Sequence, residues 1–243
     1  MGNGAPLRSI PPPLFDTIIE PFAGAAGYST RYPDRKIILL EKDPIVASLW
    51  KYLIRTPAEE ILRIPLLGHD QTTDDLQVCP EARALVGFWL NKGTTSPCRT
   101  PSKWMRDGLR PNSFWGETIR ERIASQVEGI RHWRCVEGSF TDIPRPARAA
   151  TWHVDPPYQR QGTYYRCSAR EIDFGHLGTW CRGLQGQVMV CEQEGADWLP
   201  FRPFITIKAN ESKHGKGVCQ EVLWTNDAVR LADPLHAAVA TGS

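Results

Sequence analysis

Apolar residues along this 243-residue chain fall into short runs of strand length, separated by turn-forming residues and by stretches with helical spacing. Ile18 and Ile19 close one such run, and Lys36 to Leu40 forms a second. Asp43 followed by Pro44 predicts a helix N-cap with proline at the first helical position. Ile45, Leu49 and Leu53 then share one face, so Asp43 reads as a cap rather than a ligand. Trp152-His153-Val154 reads as a strand leaving a sheet, and Gln187 to Cys191 as another buried strand. This alternation predicts an α/β domain.

Between Arg55 and Ile130 the alternation is interrupted. A helical stretch leads into the polar run Gly68 to Asp75, a Phe88-Trp89-Leu90 cluster, and a loop from Lys92 to Arg99 rich in Thr and Ser. Trp115, Ile119, Ile123, Val127 and Ile130 then recur at helical spacing, which predicts an amphipathic helix packed on the core. No internal repeat or coiled-coil pattern occurs.

Composition narrows the class. At 41% hydrophobic and 23% charged, the chain can bury one α/β core and one small extra module. No apolar run approaches the roughly 20 residues that cross a bilayer, and Met1 to Pro13 lacks a signal-peptide pattern, so a cytoplasmic protein is expected. Seven cysteines and six histidines show no ligand-like pairing, which predicts reduced thiols and no metal site. The net charge of +2 is too small to announce a nucleic-acid partner, but its distribution is uneven. From Arg99 to Arg134 eight basic residues, Lys103, Arg106 and Arg110 among them, face four acidic ones. Arg160, Tyr164, Tyr165 and Arg166 follow the strand at 152–154, a basic and aromatic loop suited to phosphates and unstacked bases.

Two motifs carry candidate chemistry. Asp155-Pro156-Pro157-Tyr158 should appear by chance in about one chain of this length in several hundred. Its prolines pin the backbone, fixing a carboxylate, a carbonyl and an aromatic face relative to one another. A planar base with an amino group fits that trio: two acceptors take its N–H bonds while the ring stacks. Upstream, Ile18-Ile19 runs through Glu20, Pro21, Phe22, Gly24 and Gly27 into a glycine-bearing turn, with a helix expected after it. Glu41, at the end of the second strand, stands where an acid accepts hydrogen bonds from ribose hydroxyls.

Together these motifs resemble the S-adenosylmethionine-dependent DNA adenine methylases of bacteria and phages, which carry a Phe-x-Gly-x-Gly type turn near the N-terminus and Asp-Pro-Pro-Tyr far downstream. Arg134 to Phe140 is similar to the family strand that ends in Gly-Asp-Phe, with Ser139 in place of the Asp that contacts the cofactor adenine; Asp142 is a possible substitute. Cys219 to Asn226 is similar to the family's terminal strand. The resemblance implies a class I methyltransferase (Rossmann-like) mixed seven-stranded sheet, formed by residues 1–54 and 131–243. Residues 55–130 would be a largely helical insert, with target recognition at 68–112. It implies S-adenosyl-L-methionine as cofactor, held by Glu20, Pro21, Phe22, Gly24, Gly27, Glu41, Ser139 and Phe140. The partner would be duplex DNA with a flipped adenine, methylated at N6 by Asp155, Pro156, Pro157 and Tyr158. A ribosomal RNA base (adenine N6) methyltransferase and a catalytically silent nucleic-acid-binding module remain the alternatives.

Overall fold

A computed structural model describes residues 10–108, 111–143, 146, 148–160, 162, 166–208 and 218–226. Its centre is a seven-stranded sheet in the order β3-β2-β1-β4-β5-β7-β6. The strands are β1 (Thr17–Glu20), β2 (Lys36–Glu41), β3 (Arg134–Glu137), β4 (Ala150–Val154), β5 (Gly186–Gln193), β6 (Arg202–Lys208) and β7 (Val218–Thr225). Strands β1 to β5 run parallel, and β7 lies antiparallel between β5 and β6.

Side chains alternate across the sheet, and the alternation sorts the core into two faces. Ile19, Leu40, Trp152, Val154, Val188 and Val190 pack on one side. Ile18, Ile37, Leu39, Met189 and Cys191 pack on the other. Burial on both faces is why these strands read as continuous apolar runs.

Among the described residues six α-helices accompany the sheet: α1 (Pro44–Arg55), α2 (Ala58–Arg63), α3 (Pro80–Phe88), α4 (Lys103–Arg106), α5 (Glu117–Val127) and α6 (Phe174–Arg182). Asp43 caps α1, its carboxylate accepting from Ile45 N at 2.9 Å, with Pro44 at the first helical position. Helices α2 to α5 lie within the expected insert and build a third apolar cluster around Ile61, Leu85, Val86, Leu90, Trp115 and Ile119, which reaches the main core through Leu49 of α1. The predicted amphipathic helix starts later than its apolar spacing suggests. Gly116 is fully extended at the N-cap, so Trp115 precedes α5 and instead donates its indole N–H to the Pro65 carbonyl at 3.0 Å.

The helix expected after the glycine turn does not form. Only a single 3-10 turn, Ser29–Arg31, separates that turn from β2. Pro33 explains this, because Tyr32 is pushed out of helical conformation within six residues of Gly27.

Candidate active site

The switch point of the sheet falls between β1 and β4, since the chain winds outward from that pair in opposite directions. Open α/β sheets present a crevice at the carboxyl ends of such strands. Ile19 is level with Trp152, so the two strands release the chain side by side, β1 into Pro21–Ser29 and β4 into Asp155–Tyr158. The two motifs, 128 residues apart between Gly27 and Asp155, therefore leave neighbouring strands at the same edge of the sheet.

The first turn is held at four points. Ala23 N donates to Leu40 O at 3.0 Å, and Gly24 N to Glu41 Oε2 at 2.8 Å. Trp50 of α1 donates its indole N–H to Gly24 O at 2.8 Å. Ser29 N donates to Glu20 Oε1 at 2.7 Å. Gly24 sits at φ +46°, the left-handed region that glycine enters without strain, and open space lies where a side chain would stand. Ala26, at φ 47°, takes the same region with a buried methyl, a strained position of the kind that collects at functional sites. Phe22 is half-buried and packs on Phe140, ring centroids 5.7 Å apart.

Glu41 uses both carboxylate oxygens, Oε2 for Gly24 N and Oε1 for Asp43 N at 2.8 Å. Each oxygen retains a second acceptor direction. Desolvation raises the Glu41 carboxyl above the usual range, and the backbone N–H donors partly offset that. Glu20 is buried with its carboxylate committed to Ser29 N and to the ring of His153, so it closes the turn from beneath. Ser139 and Asp142 form a local turn: Ser139 N donates to Asp142 Oδ2 at 2.7 Å. Asp142 is exposed, while Phe140 is buried between Phe22 and Trp180.

The second turn is braced from β5. Gln159 N donates to Glu192 Oε1 at 2.6 Å, and Gln193 N to Glu192 Oε2 at 2.7 Å. Gly162 N closes the turn on Tyr158 O at 2.6 Å. A side chain at Gly162 would stand 2.5 Å from the Pro157 backbone carbonyl carbon, so only glycine fits. Pro156 is buried, Pro157 and Tyr158 are half-buried, and Asp155 is open to solvent. Protein nevertheless crowds its carboxyl. Desolvation raises it above the ordinary aspartate value; His153 and a hydrogen bond from the Tyr158 side chain oppose that rise, and Glu20 reinforces it.

Sequence reasoning passed over Glu192, Gly162 and His153. A glutamate inside an apolar strand, between Cys191 and Gln193, was the available signal for the first. The other two carried none, since their roles depend on what the fold brings beside them.

Of the residues predicted to meet nucleic acid, Lys103 and Arg106 stand exposed on α4 beside Trp104, itself 59% exposed. Ser102 caps that single turn. Arg160 is exposed, and its guanidinium occupies the space beside Gly195. Arg166 and Arg99 line one groove of about 450 Å³ with Pro44, Ser48, Glu81 and Arg83. The lining includes no residue of either turn, and it joins Arg166, in the loop after the second turn, to α1 and the helical insert. Arg110, Tyr164 and Tyr165 lie outside the described residues. Among the described residues no group of three or more His, Cys, Asp or Glu side chains could hold a metal ion, and no helix is long and apolar enough to cross a membrane. Set against known proteins, the sequence matches no family model and no curated protein.

Proposed function

We propose that the protein transfers the methyl group of S-adenosyl-L-methionine to the N6 amino group of adenine in duplex DNA. The observation that carries this reading is the meeting of the Pro21–Ser29 and Asp155–Tyr158 turns at the switch point of a mixed seven-stranded sheet. Such a sheet agrees with the class I methyltransferase architecture that the sequence resembles.

The cofactor supplies an electrophilic methyl carried on a sulfonium. Residues of the first turn fit it: Glu41 has acceptor directions to spare for ribose hydroxyls, and Gly24 leaves open space beside it. Phe22 and Phe140 offer an apolar flank for the adenine ring. At the second turn the Asp155 carboxylate and the Pro156 carbonyl accept hydrogen bonds from the two N–H groups of the target amine, which loses one of its protons to solvent as the methyl leaves sulfur for nitrogen. They draw the nitrogen toward tetrahedral geometry and stabilise positive charge as it develops. Tyr158 stacks on the base, which the duplex releases at a cost of a few kcal/mol. Holding the amine and the methyl in line supplies much of the acceleration. Lys103, Arg106, Arg110, Arg160 and Arg166 meet phosphates, Tyr164 and Tyr165 meet unstacked bases, and a substrate of this kind places the protein in the cytoplasm.

The test offers both polymers. The protein is incubated with labelled cofactor, duplex DNA and ribosomal RNA, and the digested nucleosides are identified by mass spectrometry. The expected product is N6-methyladenine in DNA; label in N4-methylcytosine, or in RNA alone, overturns the assignment. Asp155→Ala should abolish transfer and change cofactor affinity little beside the loss expected for Glu41→Ala, because Asp155 addresses the amine and lies in a separate turn.

A further inference from the structure

The groove of about 450 Å³ is given no occupant by the chemistry above, and its walls come from both parts of the chain. Pro44, Ile45 and Ser48 of α1 form one side, and Pro80, Glu81, Arg83 and Ala84 of α3 form another. Pro97, Cys98 and Arg99 add a loop wall, and Arg166 joins from the loop after the second turn. The walls are braced against one another. Ser48 Oγ donates to Glu81 Oε1 at 3.0 Å, which ties α1 to α3. Cys98 N donates to Gly87 O at 3.0 Å, and Thr73 N to Arg99 O at 2.9 Å. A side chain at Gly87 would stand 2.7 Å from the Pro97 ring, so glycine is what lets the loop lie on α3. The groove is therefore preformed.

Its lining combines two chemistries. The proline rings, Ile45 and Ala84 offer apolar surface, while three guanidinium groups, Arg83, Arg99 and Arg166, stand beside the carboxylate of Glu81. Arg83 is fixed by its bond from Nη2 to Leu76 O at 3.1 Å. Arg99 pairs with Asp74, but both side chains are more than half exposed, and such a pair is worth little enough to exchange for a phosphate. Guanidinium groups match phosphate oxygens in pairs, and apolar walls match the face of a base. Position links the groove to the proposed site. It begins with α1, three residues after β2 ends at Glu41. Strand β2 lies two strands from β4, about 10 Å along the sheet edge, which roughly three nucleotide steps of ~3.4 Å cover.

We infer that this groove seats an unstacked nucleotide of the DNA strand that flanks the target adenine. Its phosphates meet Arg83, Arg99 and Arg166, its base lies on Pro44, Ile45 and Ala84, and Glu81 accepts an N–H of the base edge. Helix α1 then belongs to the DNA interface as well as to the sheet. The choice of DNA as occupant rests on the reading given above.

Cys98 tests occupancy without any substitution, because it is a free, partly exposed thiol of the groove, whereas the free thiol of Cys135 on β3 does not line it. With duplex DNA at about ten times its Kd, alkylation of Cys98 by iodoacetamide, followed by mass spectrometry, should slow roughly tenfold, since only the free fraction reacts. Cys135 should react at its former rate. Cys98 reacting as in the free protein, or both thiols slowed alike, overturns the proposal. In a second measurement, labelled duplex DNA is titrated by fluorescence anisotropy without cofactor. Arg83→Gln and Arg99→Gln should each reduce the slope of log K against log salt by about 0.9. Ala84→Trp, which fills the groove at unchanged charge, should weaken Kd about tenfold, the size of one base's stacking. Arg182→Gln makes the same charge change in the last turn of α6, which leads to the amino end of β5, and should keep the slope. Slopes unchanged in the first two variants, an equal loss in Arg182→Gln, or unweakened binding in Ala84→Trp overturns the proposal. If DNA protects Cys98 but receives no methyl group, the groove stands and the methyltransferase reading alone fails.

Discussion

Glu41 ties three things together with one carboxylate: the first turn through Gly24, the start of α1 through Asp43, and the crevice through its free acceptor directions. Its loss should therefore register twice. Glu41→Ala is expected to weaken S-adenosylmethionine binding by roughly 1–3 kcal/mol, the cost of leaving bonded polar groups unsatisfied, with a drop in Tm from the two orphaned backbone N–H groups. Calorimetric titration with an unchanged Kd would remove Glu41 from the site. Gly162 makes the complementary case, because its constraint is steric. Gly162→Ala puts a methyl 2.5 Å from the Pro157 carbonyl carbon, so the turn must shift. A misplacement of about 1 Å can cost ~100-fold in rate, so turnover should fall far more than Tm does. Equal turnover in the variant would show that the second turn tolerates displacement. Asp155 and Glu41 were legible as residues because their surroundings in sequence, two prolines or the end of an apolar run, restrict the backbone locally. His153 was not, since its partners Glu20 and Cys191 lie 133 and 38 residues away.

At the scale of elements, legibility followed the strength of the local pattern. Strands β2 and β5 are apolar on both faces and β4 on one, and all three were visible at once; α1 announced itself through Asp43-Pro44. Helix α6 was missed because Gly175 and Gly178 depress its helical propensity. Gly178 is there for packing, as a side chain would stand 2.9 Å from the Trp198 carbonyl oxygen. Strand β6 was hidden by Pro203, which a central strand would exclude. It survives because β6 is the edge strand and its register shifts between Pro203 and Ile205. Asn226 shows how one side chain ends an element. Its amide accepts from Val188 N at 3.1 Å and donates to Gly186 O at 2.7 Å, continuing the β5–β7 ladder past the last paired residue. Asn226→Ala should cost about 1–3 kcal/mol, the penalty for two unsatisfied backbone groups. Chemical denaturation would show it as a lower midpoint at unchanged slope, and a change under about 0.5 kcal/mol would mean that water replaces the amide.

The whole molecule concentrates acids at one edge of its sheet. Asp155 follows β4, Glu41 ends β2 and Glu192 lies one residue before the end of β5, and for each of them desolvation is the main cause of a carboxyl raised above its ordinary value. Such groups hold protons more tightly folded than unfolded. Below the unfolded values of 3.8 for aspartate and 4.5 for glutamate, both states are protonated and the raised carboxyls contribute no difference. As pH climbs past those values the unfolded chain ionises first, so this set lowers stability until the folded carboxyls ionise as well, and the loss then levels off. A cation bound at that edge favours the ionised forms and reverses the effect. Cofactor binding in the weakly acidic range should accordingly expel protons and tighten as pH rises toward neutrality. Titration calorimetry in two buffers of different ionisation enthalpy measures the proton count directly. Glu192→Gln, which removes one of the three acids while the amide oxygen can still accept from Gln159 N, should reduce the count without abolishing binding. Affinity and heat that are independent of buffer and pH across this range would mean that the positive sulfonium does not bind at the acidic edge, and would move the cofactor away from the switch point altogether.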